Sequence, residues 1–156
     1  MTIEIERTWF VAGDAPLAQA QTSVAIRQGY VAITNEAEVR VRAAGATCLL
    51  TVKTGRGQQR SEVELPITRE QFEALWPATT DARLVKTRHV VRLGDHRAEV
   101  DVFEDSLAGL VLVEVEFDST DTADAFEPPA WFGQEITDTD GWNNASLAVN
   151  GIPTER

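Results

Sequence analysis

The stretch VEVEF at residues 113–117 alternates apolar and acidic residues without interruption. The stretch VRVR at residues 39–42 has the same alternation, with arginine in the charged positions. Successive side chains of a β-strand point to opposite faces, so each stretch would place its charges on one face and its valines on the other. A period of two therefore predicts strands at both places, and it makes the charged face the feature to explain.

Runs with this character recur along most of the chain. They lie at Ile3–Val11, Val24–Thr34, Ala37–Ala43, Cys48–Thr54, Arg60–Pro66, Leu84–Arg92, His96–Glu104 and Leu110–Phe117. Short turns separate most of them, several with a glycine such as Gly45, Gly57 or Gly94. Runs that follow one another through short turns can pair antiparallel, so the pattern predicts a strand-rich meander.

Three helical stretches interrupt the strands. Thr68, with Gln71 three residues later, forms the pattern of a capping box, and Pro77 ends that helix. A second short helix is expected after Ser119 and a third over Trp142–Val149. No internal repeat or low-complexity linker divides the chain, so the sequence predicts one domain over residues 1–156. Its predicted fold class is α+β, a large antiparallel sheet or barrel with peripheral helices.

Composition narrows the functional class. The 156 residues carry 14 Lys and Arg against 25 Asp and Glu, a formal net charge of −11. Such acidity argues against a general nucleic-acid partner, although a local basic cluster can still bind an anion. The single cysteine, Cys48, excludes an internal disulfide and a cysteine-based zinc site. The chain shows no signal-peptide pattern and no membrane-length apolar run, so we expect a cytoplasmic protein with no membrane partner.

Like charges are grouped strand by strand on the polar faces. The pairs at positions i and i+2 are Glu4 with Glu6, Arg40 with Arg42, Glu62 with Glu64, Lys86 with Arg88, Glu99 with Asp101, and Glu114 with Glu116. Such pairs repel unless a neighbouring strand or a ligand compensates them. One interpretation is an ordinary one-sided sheet with its charges in water. The other is a closed sheet whose charged residues line a polar lumen while its apolar face packs outward.

The closed sheet would form a binding site for a polyanion. A basic set suits a ligand with several adjacent negative charges, and it consists of Arg40, Arg42, Lys53, Arg60, Lys86 and Arg88. Carboxylates in the same lumen would repel that ligand unless a hard divalent cation such as Mg²⁺ or Mn²⁺ lay between them. A basic clamp beside an acidic metal site is the arrangement used for phosphoryl transfer or hydrolysis.

The ordered motifs resemble those of the CYTH domain family, also called triphosphate tunnel metalloenzymes. The N-terminal signature of that family is Glu-x-Glu-x-Lys, and residues 4–8 read EIERT. The resemblance continues over residues 39–42, 50–53, 60–64, 86–88, 99–103, 113–117, 131–137 and 143–148. It implies an eight-stranded antiparallel tunnel that binds a triphosphate along its axis, with Mg²⁺ or Mn²⁺ as cofactor.

The resemblance also implies roles for individual residues. The metal-binding carboxylates of the family match Glu4, Glu6, Glu114 and Glu116. Its phosphate ligands match Arg40, Arg42, Lys53, Lys86 and Arg88, with Arg60 at a further basic position and Tyr30 at one tunnel mouth. Glu62 and Glu64 match a pair that can bind a second metal or orient the attacking water, and with Lys86 they form the expected catalytic set.

The implied activity is metal-dependent hydrolysis of a linear triphosphate, first of all inorganic tripolyphosphate. One departure is Thr8, which stands where the family signature has lysine. Because a hydroxyl cannot neutralise phosphate charge, the alternative is a protein that binds a triphosphate, polyphosphate or nucleotide with weak or no turnover. Arg7 or Arg92 could instead fill the space of the missing lysine. A thiamine triphosphatase or class IV adenylate cyclase is a further alternative, and the resemblance implies a homodimer.

Overall fold

The chain forms an antiparallel barrel in a computed structural model that describes residues 2–56 and 58–154. Its strands are β1 (Thr2–Val11), β2 (Thr22–Ile33), β3 (Ala37–Ala44), β4 (Thr47–Thr54), β5 (Gln59–Ile67), β6 (Arg83–Leu93), β7 (His96–Phe103), β8 (Val111–Phe117) and β9 (Phe132–Glu135). The first eight agree with the predicted runs to within two residues at each end, whereas β9 was not predicted. Gly57, one of the predicted turn residues, lies outside the described residues.

Closure of the barrel depends on β1. The strands follow the order β5-β4-β3-β2-β6-β7-β8-β1, and the first part of β1 returns to pair with β5. Thr2–Ile5 makes that pairing, while Trp9 and Val11 further along β1 pair with β9. One strand therefore closes an eight-stranded ring and then carries a short extra strand at its other end. The predicted eight-stranded antiparallel barrel is confirmed.

The register brings charged residues of neighbouring strands opposite one another inside the barrel. Glu6 of β1 faces Glu116 of β8, and Lys53 of β4 faces Glu62 of β5. Since all strands alternate with the same period, the opposite face of each strand points outward. Most of the outward residues are apolar and form much of the hydrophobic core, as the closed-sheet interpretation predicted.

Two apolar clusters cover the outside of the barrel. One contains Trp9, Val100 and Val113, which are 2%, 0% and 0% exposed and pack with residues of the segment from 123 to 132. The other contains Val41 and Phe72, both fully buried, together with Cys48. Cys48 is a free thiol within this cluster, consistent with an inert core residue.

Short helices sit around the barrel: α1 (Arg69–Leu75), α2 (Thr120–Ala125) and α3 (Asn144–Asn150). Helix α1 begins at the predicted capping box, in which Thr68 and Gln71 bond each other's backbone N–H with their side chains. Asn143 caps α3, so this helix starts two residues later than predicted. Single 3-10 turns occur at Leu17–Gln19, Trp76–Thr79 and Asp105–Leu107. No helix in the described ranges is long and apolar enough to cross a membrane.

The segment after β9 closes one end of the barrel. A third apolar cluster joins Leu84 of β6 and Leu112 of β8 to Trp142 and Leu147 of this segment. The ring of Trp142 meets that of Phe10 edge-on, with their centroids 4.7 Å apart. Leu84, Leu112 and Phe10 share the inward face with the charged residues of their strands, so the C-terminal segment packs into the lumen and fixes its limit at this end.

Candidate active site in the tunnel

A cavity of about 860 Å³ occupies the barrel beside the C-terminal segment. The barrel contributes charged and polar residues that include Glu6, Thr8, Tyr30, Arg40, Lys53, Arg60 and Glu114. The C-terminal segment contributes hydroxyl and amide side chains that include Thr137, Asn143, Asn144 and Ser146. The cavity therefore has an inner wall with both basic and acidic side chains, and an outer wall of hydroxyl and amide groups with two carboxylates, Asp138 and Asp140.

Three glutamates converge on the inner wall. Carboxylate oxygens of Glu4, Glu6 and Glu116 all lie within 4.8 Å of one another. Burial, together with the charge of Glu114, raises the pKa of Glu6 well above its ordinary value. Burial and nearby carboxylates, Glu99 foremost, raise the pKa of Glu116 to about 7. We call these three residues the glutamate cluster.

The glutamate cluster has the chemistry of a site for a hard cation. Its donors are carboxylate oxygens from two adjacent strands, and oxygen ligands are what Mg²⁺ and Mn²⁺ prefer. Burial and the neighbouring carboxylates raise the pKa values of Glu6 and Glu116, whereas Lys53 helps to lower that of Glu4, so negative charge is least compensated at Glu6 and Glu116. Glu114, predicted as a fourth member, lies outside this close group and stands opposite Thr8.

Lys53 lies beside the glutamate cluster. Its Nζ donates to Oε1 of Glu4 at 2.8 Å and lies 3.7 Å from Oε2 of Glu62. Burial alone would raise the pKa of Glu4, but the charge of Lys53, together with hydrogen bonds to Glu62 and Lys53 and the charge of Arg40, lowers that pKa. Burial, with a hydrogen bond and the charge of Glu4, raises the pKa of Glu62 to about 7. Glu62 is thus a carboxylate that can take a proton near neutral pH.

Lys86 and Arg88 are held by a buried aspartate, Asp101. Lys86 Nζ donates to its Oδ2 at 2.7 Å, and Arg88 donates to both oxygens at 2.8 Å. The side chains of Lys86 and Asp101 are 0% and 2% exposed. Burial lowers the pKa of Lys86 to about 8 against the opposing charge of Asp101. Asn144 of the C-terminal segment also accepts from Lys86 at 3.3 Å, so this segment reaches the tunnel lysine directly.

Arg40 and Arg42 are the inward arginines of β3, and neither has a carboxylate oxygen within 4.0 Å among the described residues. Arg42 Nε donates to Oε1 of Gln28 at 2.8 Å. Burial and the charges of Arg40 and Arg88 lower the pKa of Arg42 to about 10. The Nε of Arg40 is buried without a hydrogen-bond partner. We call these two residues the arginine pair.

Two further predicted residues lie at the cavity wall. Arg60 lies 3.1 Å from Oε1 of Glu38, so its charge is already compensated. The hydroxyl of Tyr30 accepts a hydrogen bond of 2.8 Å from Gln28, and burial raises its pKa. Gln28 therefore joins Tyr30 to Arg42 in one continuous network. Glu64, in contrast, is exposed and does not line the cavity.

Sequence reasoning did not include Asp101, Glu38 or Gln28 in the site. Glu38 and Gln28 share strand parity with the predicted residues Arg40 and Tyr30, so the same alternation marks them, whereas Asp101 lies on β7, which has no predicted site residue. Their partners depend on which strands become neighbours. In particular, β6 pairs with β7, and that pairing brings Asp101 against Arg88.

Thr8 lines the cavity opposite Glu114, on the face that Glu6 shares. Arg7 points outward instead and binds Glu135 at 2.7 Å. Arg92 is exposed near the end of β6. The prediction that Arg7 or Arg92 fills the space beside Thr8 is therefore wrong, because strand parity turns Arg7 out of the lumen and Arg92 lies on the surface. Lys53 lines the same cavity as Thr8 and already contacts Glu4.

A sequence model of the CYTH domain matches residues 2–138. The chain belongs to the CYTH domain family. An inorganic triphosphatase of Nitrosomonas europaea is 44% identical over 149 residues, covering 94% of this chain and 97% of that protein. An inorganic triphosphatase of Acetivibrio thermocellus is 33% identical over 150 residues, covering 94% of each.

A solved CYTH-type structure agrees with the fold. The crystal structure of the inorganic triphosphatase NE1496 covers 98% of this chain and 99% of its own, at 40% identity and a TM-score of 0.71. The alignment thus includes the C-terminal segment that closes the cavity, beyond the residues matched by the CYTH model. The family and the barrel predicted from the motifs are both confirmed.

Proposed function

We propose that this CYTH protein is a divalent-cation-dependent triphosphatase that hydrolyses inorganic tripolyphosphate. The observation that carries this proposal is the presence, in one tunnel, of an arginine pair without a carboxylate partner among the described residues and of a glutamate cluster in which Lys53 pairs with Glu4 but not with Glu6 or Glu116. A polyanion would bring negative charge to the arginine pair, and a divalent cation would bring positive charge to the glutamate cluster. The two relatives named above are inorganic triphosphatases, which supports the same activity.

The glutamate cluster would hold Mg²⁺ or Mn²⁺, with Glu114 available from the same strand as Glu116. When bound, such a cation neutralises phosphate charge and polarises the phosphoryl oxygens. The carboxylates themselves repel one another, and the raised pKa values of Glu6 and Glu116 mean that these two hold protons more readily than ordinary carboxyl groups in the cation-free protein. Cation binding is therefore expected to release protons.

The phosphate chain would lie along the basic residues of four strands: Arg40 and Arg42 of β3, Lys53 of β4, Arg60 of β5, and Lys86 and Arg88 of β6. Guanidinium groups bind phosphate oxygens in pairs and lysine adds point charge. Tyr30 lies buried on the cavity wall as a further hydroxyl donor. Basic residues distributed over so many strands match several phosphates better than two, which favours tripolyphosphate over pyrophosphate.

Hydrolysis requires a water in line with the bond that breaks. In our proposal Glu62 orients that water and accepts its proton, since its pKa of about 7 suits a general base. The oxygen of the water bonds to a terminal phosphorus while the bond from that phosphorus to the bridging oxygen breaks, giving orthophosphate and pyrophosphate. Lys86 stabilises the charge that develops on the phosphates, and Glu64 has a supporting role at the exposed end of β5.

The test is a phosphate-release assay with tripolyphosphate, pyrophosphate, ATP and thiamine triphosphate, each with Mg²⁺, with Mn²⁺ and with EDTA. We expect turnover of tripolyphosphate that needs the cation and exceeds that of the other three. A variant with Arg42→Met provides the matched inactive control, because this arginine has no carboxylate partner to destabilise. Preference for ATP or thiamine triphosphate would contradict the substrate, and turnover in EDTA would contradict the cation requirement.

A second candidate is a protein that binds triphosphate or nucleotide with weak turnover. Thr8 favours it, because a neutral hydroxyl lines the cavity where the family signature has a lysine. Calorimetry beside the kinetic assay separates the two candidates. Tight binding of tripolyphosphate without release of phosphate supports the second and contradicts the first.

We also propose a cytoplasmic location and a homodimer. The outward residues of β4 and β5 contain no charge over residues 48–54 and 59–67, in a chain of net charge −11. Val63 and Leu65 on this face are 38% and 49% exposed. Two copies can meet here without like-charge repulsion. Sedimentation of the wild type and of Leu65→Glu tests the dimer: a monomeric wild type contradicts it.

A further inference from the structure

Thr51 of β4 is a buried residue to which the resemblance assigned no role. It shares the inward face with Lys53 and is 1% exposed. Its hydroxyl has no hydrogen-bond partner among the described residues. Buried polar groups are nearly always paired, and an unpaired one is costly, so such a hydroxyl needs an explanation.

The residue opposite Thr51 on the neighbouring strand also has a buried donor without a hydrogen-bond partner among the described residues. Thr51 is the direct partner of Arg40 in the β3–β4 ladder. The Nε of Arg40 is likewise buried and without a partner. Since partnered residues of adjacent strands hold their side chains close together, two unsatisfied donors lie on neighbouring positions of one wall. Arg40 and Lys53 both line the cavity, so Thr51 is flanked by cavity residues on its own strand and on the next.

The protein itself offers these donors no acceptor. Glu64, the partner of Thr51 on the other side, is exposed and accepts no hydrogen bond from it. A guanidinium nitrogen can only donate, and a hydroxyl can donate in any direction its rotor allows. The missing group is an oxygen acceptor, and because Thr51 is not itself a lining residue of the cavity, that acceptor would approach it beside Arg40 and Lys53, which are.

We propose that the Thr51 hydroxyl and the Arg40 Nε are ligand contacts that bind phosphate oxygens of the substrate. This inference rests on the proposed function and deepens it. It adds a neutral donor, besides the Tyr30 hydroxyl, to a phosphate site made mainly of cations, and it places part of the phosphate chain against the β3–β4 wall. The rival occupant is a resident water, which would satisfy the same donors with no effect on substrate binding.

The variant Thr51→Val separates these cases, because valine keeps the shape and removes only the hydroxyl. Without ligand the loss of an unsatisfied group should raise the thermal midpoint by about 2–4 °C. With tripolyphosphate the Kd, measured by calorimetry in EDTA, and the KM of turnover should each rise about tenfold. Higher stability together with weaker binding is the result we expect. Thr51→Ser, which keeps the hydroxyl, should retain wild-type Kd and KM.

A control variant and a fallback variant complete the test. Thr54→Val on the outward, exposed side of the same strand should change neither Kd nor KM. If Thr51→Val does not fold, Thr51→Ala tests the same loss of affinity. Unchanged Kd and KM in a folded Thr51 variant would overturn the inference and identify a resident water, while leaving the triphosphatase proposal intact. A wild type that neither binds nor hydrolyses tripolyphosphate would overturn both.

Discussion

The arginine pair and the glutamate cluster lie in the same lumen. Both contain charges that are not paired within the described part of the protein, unlike the other charges there. Lys53, Lys86 and Arg88 are each within 2.8 Å of a carboxylate oxygen. Arg40 and Arg42 have no such partner among the described residues, and the three glutamates of the cluster lie within 4.8 Å of one another. The arginine pair has no carboxylate partner among these residues, and in the glutamate cluster Lys53 pairs with Glu4 while Glu6 and Glu116 have no such ion pair.

The contrast separates charges that the fold compensates from charges that a ligand must compensate. Burying an unpaired charge is expensive, and pairing it inside the protein removes most of that cost. Asp101 does this for Lys86 and Arg88, so these residues are in place before any ligand arrives. In the ligand-free protein the unpaired charges of the arginine pair and the glutamate cluster still carry this free-energy cost. They therefore remain available to bind phosphate and a cation.

The largest expected effect follows from removing charge from the glutamate cluster. Glu6→Gln should lower cation-dependent turnover of tripolyphosphate about 1,000-fold, because the cation loses a charged ligand. The same change relieves carboxylate repulsion, so the cation-free variant should melt at a higher temperature than the wild type. Steady-state kinetics and thermal melts in EDTA measure the two effects. Glu104→Gln, at an exposed position after β7, is the control. Wild-type turnover in Glu6→Gln would contradict the cation site.

The second comparison sets Arg42→Met against Arg88→Met. Both variants should lose about 100-fold in kcat/KM, because each removes a guanidinium from the phosphate site. Their stabilities should differ: Arg42→Met stays within about 1 kcal/mol of the wild type, whereas Arg88→Met loses about 2 kcal/mol as Asp101 gives up a bidentate partner. Urea unfolding without ligand measures this difference. Equal stability of the two variants would show that compensation by Asp101 does not distinguish them.

A smaller effect is expected from adding charge at Thr8. Thr8→Lys places an ammonium on the cavity wall opposite Glu114, near the cluster and the phosphates. Turnover of tripolyphosphate should rise about tenfold, mostly in kcat if the contact strengthens in the transition state. Thr2→Lys, exposed on the same strand, controls for a general gain of positive charge. Unchanged turnover would indicate that Lys53 already serves in place of the signature lysine.

The smallest effect is a dependence of stability on pH. The pKa of Glu116 is raised from 4.5 to about 7, so between these values the folded protein holds a proton that the unfolded chain has released. Stability of the cation-free protein should therefore fall as pH rises through that window, and Glu62 should add to the same trend. Thermal midpoints in EDTA between about pH 5 and about pH 8 measure it. Mg²⁺ should reverse the loss at the upper end, and a midpoint that rises with pH would contradict the assignment.

Much of this architecture could be predicted because it is local. Alternation along a strand decides which side chains share a face, and it required neither register nor topology to group Glu4 with Glu6 or Arg40 with Arg42. The capping box at Thr68 is equally local and begins α1 as predicted. The ordered motifs then identified the family, and with it the closed barrel. Strand β9 was not predicted, because a strand of four residues is too short to show a period of two.

What the sequence by itself determined is thus the set of strands and the inward face of each. Tertiary structure alone decided which inward charges meet. The β1–β8 pairing brings Glu6 beside Glu116, the β6–β7 pairing gives Asp101 to Arg88, and among the described residues no pairing gives a carboxylate to Arg42. These contacts join residues far apart in the chain, so their energies depend on strand order and register, which no local pattern encodes. The division between compensated and uncompensated charge arises only when the barrel closes.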